Sequence, residues 1–172
     1  MGRGSGEDAC GTGKYSIKRQ YFSSDLAADG SKRKVIRFDK RGKELWEQAQ
    51  PFLVNPVEER LFCDELLFEE HFPICGINAL AHYTMLNPDP ERIIMMTVKQ
   101  LRDLRASNAL VCPNEYDGDI IIEAWKYPPV AIMGAKAEWV DRLSLAISLR
   151  EEADPRVEGE VKRLINEMKW KD

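Results

Sequence analysis

The chain has 172 residues, enough for one domain with an appendage and a sizeable core. At 44% hydrophobic and 31% charged it has a globular composition, and no apolar run nears the roughly 20 residues of a bilayer span. The net charge of −4 is unevenly spread: residues 1–43 hold eleven Lys/Arg against five Asp/Glu, and the rest hold 14 against 24.

The start, MGRGSGEDACGTGK, lacks the apolar centre of a signal peptide, so a cytoplasmic location is expected. Four cysteines without a CxxC pair then read as reduced thiols. KYSIKRQYF (Lys14–Phe22) alternates as a strand does, and KVIRF (Lys34–Phe38) is its expected partner, with SSDLAADGSKR as the loop between. Residues 1–38 are thus expected to form a basic arm ending in a β-ribbon, and residues 39–172 a body domain.

The body opens with a helix that Asp39 should cap, running through GKELWEQAQPFL until Asn55-Pro56 stops it. ERLFCDELLF reads as a strand, or a strand and a turn. ICGINALAHYTML (Ile74–Leu86) is a helix introduced by Gly76 and capped by Asn78, with Leu80 on its apolar stripe. RIIMMTV is a buried strand, and Thr97 caps the helix VKQLRDLRA. ALVCP and DIIIEAWKY read as a hairpin turning at Asp117-Gly118. Asp141 and Asp154 cap two closing helices, the second with Pro155 at its first position. The order, roughly βαβαβαββαα, predicts a mixed α/β fold: a central mixed sheet with flanking helices, the N-terminal ribbon and two C-terminal helices.

Candidate chemistry is sparse. Cys75 and His82, seven residues apart on one helix, are separated by a rise of about 10 Å and cannot form a nucleophile–base pair alone. Cys63, His71, Cys75 and His82 are the rival reading, a small metal-binding protein or enzyme, but they lack the tight ligand knuckle of a structural zinc site. DACGTGKY fails as a phosphate loop, because Asp8 and Tyr15 replace the first glycine and the hydroxyl. Asp117 and Asp119 flank a glycine and read as a hairpin tip rather than a paired-carboxylate site. No catalytic residue, metal or cofactor is therefore expected. The basic arm is the one candidate site: Lys14, Lys18, Arg19, Lys32, Arg33, Lys34 and Arg37 lie on or beside the ribbon strands, where alternate side chains share a face and can meet phosphates.

The segments KVIRFDKRGKELWEQAQPFLVNPVEERLF, GINALAHYTML, IIIEAWKYPP and VDRLSLAISLREEADPRVEGEVKRLI, spanning about residues 34–167, resemble part of a bacterial protein family. The family is that of winged-helix transcriptional regulators described as MarR-like or abortive-infection-antitoxin-like, and the likeness is to their C-terminal part. The resemblance implies that GTGKYSIKRQYF and KVIRF are the wing. No helix-turn-helix pattern precedes residue 14 in this sequence, and a recognition helix is what reads a major groove. The expected partners are DNA through the arm, a second copy or a partner protein, with no membrane.

Overall fold

The computed structural model describes residues 22–26, 32–36, 38–67, 71–128 and 137–170. Contacts divide the chain into two units, one up to Pro51 together with Trp170–Asp172, the other Phe52–Lys169.

In the first unit, β1 (Phe22–Leu26) and β2 (Lys32–Ile36) form an antiparallel ribbon, with Phe22 opposite Ile36 and Leu26 opposite Lys32. The ribbon exists, but not where the alternation placed it. Its first strand, FSSDL, runs from the last residue of the expected strand into the expected loop, and β2 starts two residues early. The five residues between, AADGS, carry the Asp29-Gly30 turn dipeptide, a local hairpin signal. Most of that stretch, residues 14–21, lies outside the described residues.

Helix α1 (Gly42–Ala49) follows. Its N-cap is Arg41, with no side-chain bond, so the expected cap at Asp39 is not made. It also stops well before Asn55. Gln50–Phe52 continue as a single 3₁₀ turn, because Pro51 has no N–H to donate. Trp46 is buried and lies 6.4 Å, ring to ring, from Trp170.

The second unit is built on a three-stranded mixed sheet in the order β3-β7-β5. β3 (Val57–Cys63) runs antiparallel to β7 (Ile120–Trp125), and β5 (Arg92–Thr97) runs parallel to it. β4 (Glu65–Leu66) and β6 (Leu110–Val111) make a separate two-stranded pair. The expected hairpin of ALVCP with DIIIEAWKY is therefore not formed. A strand that is apolar on both faces belongs in a sheet interior, and two-residue β6 could not cover it. Asp117-Gly118 is no hairpin tip. A Cβ on Gly118 would lie 2.7 Å from the Cys63 carbonyl oxygen, so this glycine lets the loop press on the end of β3.

Helices α2 (Gly76–Tyr83), α3 (Val98–Ala106), α4 (Arg142–Ser148) and α5 (Pro155–Glu167) flank the sheet, and the fold is α/β as expected. The period of two along β5 divides its side chains between two cores. Ile94 and Met96 join Leu61, Cys63, Ile122, Ala124 and the α3 residues Leu101 and Leu104. Ile93 and Met95 join Trp125, Val140 and residues Ala79, Leu80, Leu145, Val157 and Leu164 of α2, α4 and α5.

Three of the expected caps are made. Thr97 and Gln100 form a reciprocal capping box, Asp141 accepts from the amides of Leu143 and Ser144, and Asp154 accepts from Arg156 ahead of Pro155. The fourth is not. Cys75 stands at the N-cap of α2 without a side-chain cap bond, and Asn78 instead ties the next loop down, donating to the Glu91 carbonyl at 2.8 Å and accepting from the Asp89 amide at 2.9 Å. Among the described residues no helix is long and apolar enough to cross a membrane.

Candidate functional site

The basic positions separate into two groups. Lys32, Arg33 and Lys34 are the first three residues of β2, with Arg33 in register opposite Asp25 and Lys34 opposite Ser24. They were expected to be loop residues or residues at the strand start; they are strand residues throughout. Lys14, Lys18, Arg19 and Arg37 lie outside the described residues.

The four residues of the metal or enzyme reading are not brought together. Cys63 and Cys75 are both fully buried but sit in different cores, while His71 and His82 are exposed. No group of three or more His, Cys, Asp or Glu able to hold a metal occurs among the described residues. His82 lies flat on Trp139, ring centroids 4.2 Å apart, with Tyr83 edge-on at 4.9 Å. Asp117 and Asp119 line, with Asp64, Glu91, Pro90 and Gly118, an open recess of about 460 Å³. Cys112 is exposed, and its thiol is raised by a hydrogen bond to Asp64, which keeps it protonated and weakly nucleophilic.

The most unusual chemistry in the second unit had no place in the sequence reading. Glu123, on the central strand, is fully buried. The sheet register sets it directly opposite Arg60 of β3. Its Oε1 accepts from Arg60 Nη2 at 2.8 Å and Nε at 3.1 Å, and its Oε2 accepts from Trp125 Nε1 at 3.1 Å. The Cys75 thiol, at the head of α2, lies close enough to feel this carboxylate. Burial pushes that thiol well up from its ordinary value, and the Glu123 charge pushes the same way. Arg60 is half exposed; burial alone would lower its pKa, but the facing carboxylate outweighs this and raises it. The signal that could have found Glu123 is one acid inside an otherwise apolar strand, IIIEAW, where a buried charge requires a partner.

Chemically this centre is closed. Both carboxylate oxygens are engaged, and the thiol is held neutral. It joins β3, β7 and the start of α2. No family model matches the chain, and neither a curated protein nor a solved structure matches it.

Proposed function

We propose that the chain is a non-catalytic regulatory protein of the transcription-regulator or antitoxin-like type, acting by binding nucleic acid or protein. Nucleic acid would be met through the N-terminal ribbon. The observation that carries this reading is Lys32-Arg33-Lys34 on three consecutive positions of β2. A strand rises about 3.4 Å per residue and alternates in face, so positions 32 and 34 share one face about 7 Å apart, a spacing suited to a phosphate chain, with position 33 on the other. The closed Glu123 centre supports a binding role over a catalytic one. The resemblance to winged-helix regulators supports it too, with the cytoplasm as the expected compartment.

A β-ribbon by itself positions on phosphates and reads few base edges. Binding should therefore be sequence-tolerant, with Kd on the order of 10⁻⁴–10⁻⁶ M at physiological salt, and should weaken steeply as salt rises. The test is fluorescence anisotropy with random-sequence duplex DNA at two salt concentrations. Because Arg33 stands opposite Asp25, a change to Glu would oppose two acids across the ribbon and loosen it. Lys32, Arg33 and Lys34 changed together to Gln is the cleaner variant, and it should abolish binding. No binding at low salt, or binding that survives high salt, would remove nucleic acid as the ribbon's partner.

A further inference from the structure

We propose that the stack of His82 on Trp139 is a proton-sensitive latch: a protonated His82 holds the entry of α4 to the end of α2 more tightly than a neutral one. The inference does not depend on nucleic-acid binding. The two rings lie 4.2 Å apart between centroids and only 4° from parallel. Tyr83 stands edge-on to the same imidazole at 4.9 Å, and its hydroxyl donates to the Val140 carbonyl at 3.0 Å. The Arg142 guanidinium lies over the Tyr83 ring, 4.9 Å from its centre. His82 and Tyr83 thus close the last turn of α2 on the residues that lead into α4. The latch holds backbone as well as side chains. The Val140 amide donates to the Ile74 carbonyl at 3.0 Å, and the Ile74 amide to the Glu138 carbonyl at 2.8 Å. Ile74 also bridges to Ile94 of β5, so the segment around Trp139 is joined through Ile74 to the main sheet.

Histidine is the side chain that ordinarily changes charge between about pH 5 and 8. A cation within about 6 Å of an aromatic face is drawn to the ring quadrupole, and indole is the best such face. Neutral imidazole stacks on indole without that attraction. The position on the helix acts the same way, since His82 lies in the last turn of α2, where the backbone carbonyls favour positive charge. The charged groups around the stack pull in both directions. Asp141 favours a proton on His82 and Arg142 opposes it, and these chain neighbours act on Tyr83 with opposite signs too. Glu138, beside Trp139, is exposed, and its charge favours the proton weakly through water. α2 holds no titratable group besides His82 and Tyr83, and α5 shares with α2 the apolar core around Val157 and Leu164. The indole face and the helix end therefore decide the sign: protonation tightens the stack. By linkage the added hold is present at the acid end of the histidine range and is lost as pH rises through it.

The test compares the full-length parent chain with His82→Gln, which keeps a polar side chain but takes up no proton, at about pH 5.5 and about pH 8. The readout is hydrogen-exchange protection of the Ile74 and Val140 amides, corrected for the intrinsic pH dependence of exchange. An exposed cation–π contact biases an equilibrium about two- to fivefold. The ratio of protection, parent over His82→Gln, should therefore be about two- to fivefold larger at the lower pH. In a Trp139→Leu background, where the imidazole has no indole to cover, the same pair should lose more than half of that pH dependence. Because His82 is exposed, its replacement leaves the fold intact, and the first comparison decides the matter even where Trp139→Leu weakens the fold. A ratio equal at the two pH values, or larger at the higher one, would overturn the proposal. So would a pH dependence that survives Trp139→Leu undiminished.

Discussion

An acid in the middle of a buried strand costs several kcal/mol unless every lone pair it brings is used. Glu123 meets that demand with Arg60 and Trp125, so its partners should be costly to remove. Breaking a fully buried pair costs about 3–5 kcal/mol, and Arg60 itself is half exposed while Glu123 is not, so Arg60→Ala should cost about 2–3 kcal/mol in urea unfolding. The paired change Arg60→Met with Glu123→Leu should cost less than Arg60→Ala, since it removes the charge as well as its partner. A double variant worse than the single one would show that the pair stabilises beyond satisfying itself. Cys75 adds a pH signature. Its folded-state pKa is raised, so its contribution is fully present below the unfolded value of about 8.5 and is lost as pH rises through the folded value. Stability should fall above about pH 8.5, and Cys75→Ala should flatten that fall by up to about 1.4 kcal/mol per pH unit. Equal slopes in the two proteins would mean that the thiol ionises freely. The residue types at this centre were visible in the sequence, but their meeting depends on register and burial, neither of which a single strand reveals.

Helix caps show what is legible locally and what is not. Thr97 and Asp141 were identifiable because a cap and the amides it serves lie within three residues, and both bonds are made. Asp39 and Asn78 have the same chemistry and cap nothing. α1 begins two residues beyond the expected start, and Asn78 is engaged by the Asp89–Glu91 loop, which comes close only in the fold. Replacement by Ala should separate the cases. Thr97→Ala and Asp141→Ala should each cost about 1 kcal/mol, as lost caps do, and Asp39→Ala should change stability by less than about 0.5 kcal/mol. An Asp39→Ala variant as damaging as the other two would restore it as a cap. Within α2 the reading of Leu80 as core holds, since it is fully buried. The stacking of His82 on Trp139 joins elements distant in sequence and could not have been read from spacing. Strand partners were the least legible of all. β7 pairs with strands more than twenty residues away on both sides, whereas the Asp117-Gly118 dipeptide argued for the nearest neighbour.

On the scale of the whole chain, charge and packing divide at nearly the same place. Every residue of the two large cores lies between Leu61 and Leu164. The strands, helices and polar centre of the second unit therefore obtain their burial from one another. Residues 52–172 hold 14 Lys/Arg and 22 Asp/Glu, a net −8, while the preceding 51 residues hold eleven against seven. If the packing decides stability, a fragment comprising residues 52–172 should retain its helical circular dichroism and melt cooperatively, within a few degrees of the full chain. If the charge decides polyanion binding, the same fragment should show no affinity for duplex DNA at any salt, because its net charge repels phosphates and the cations of β2 are gone. The two readouts are independent. A fragment that collapses without cooperative melting would show that the first 51 residues complete the core. A fragment that folds and still binds DNA would move the nucleic-acid surface from the ribbon to the acidic unit.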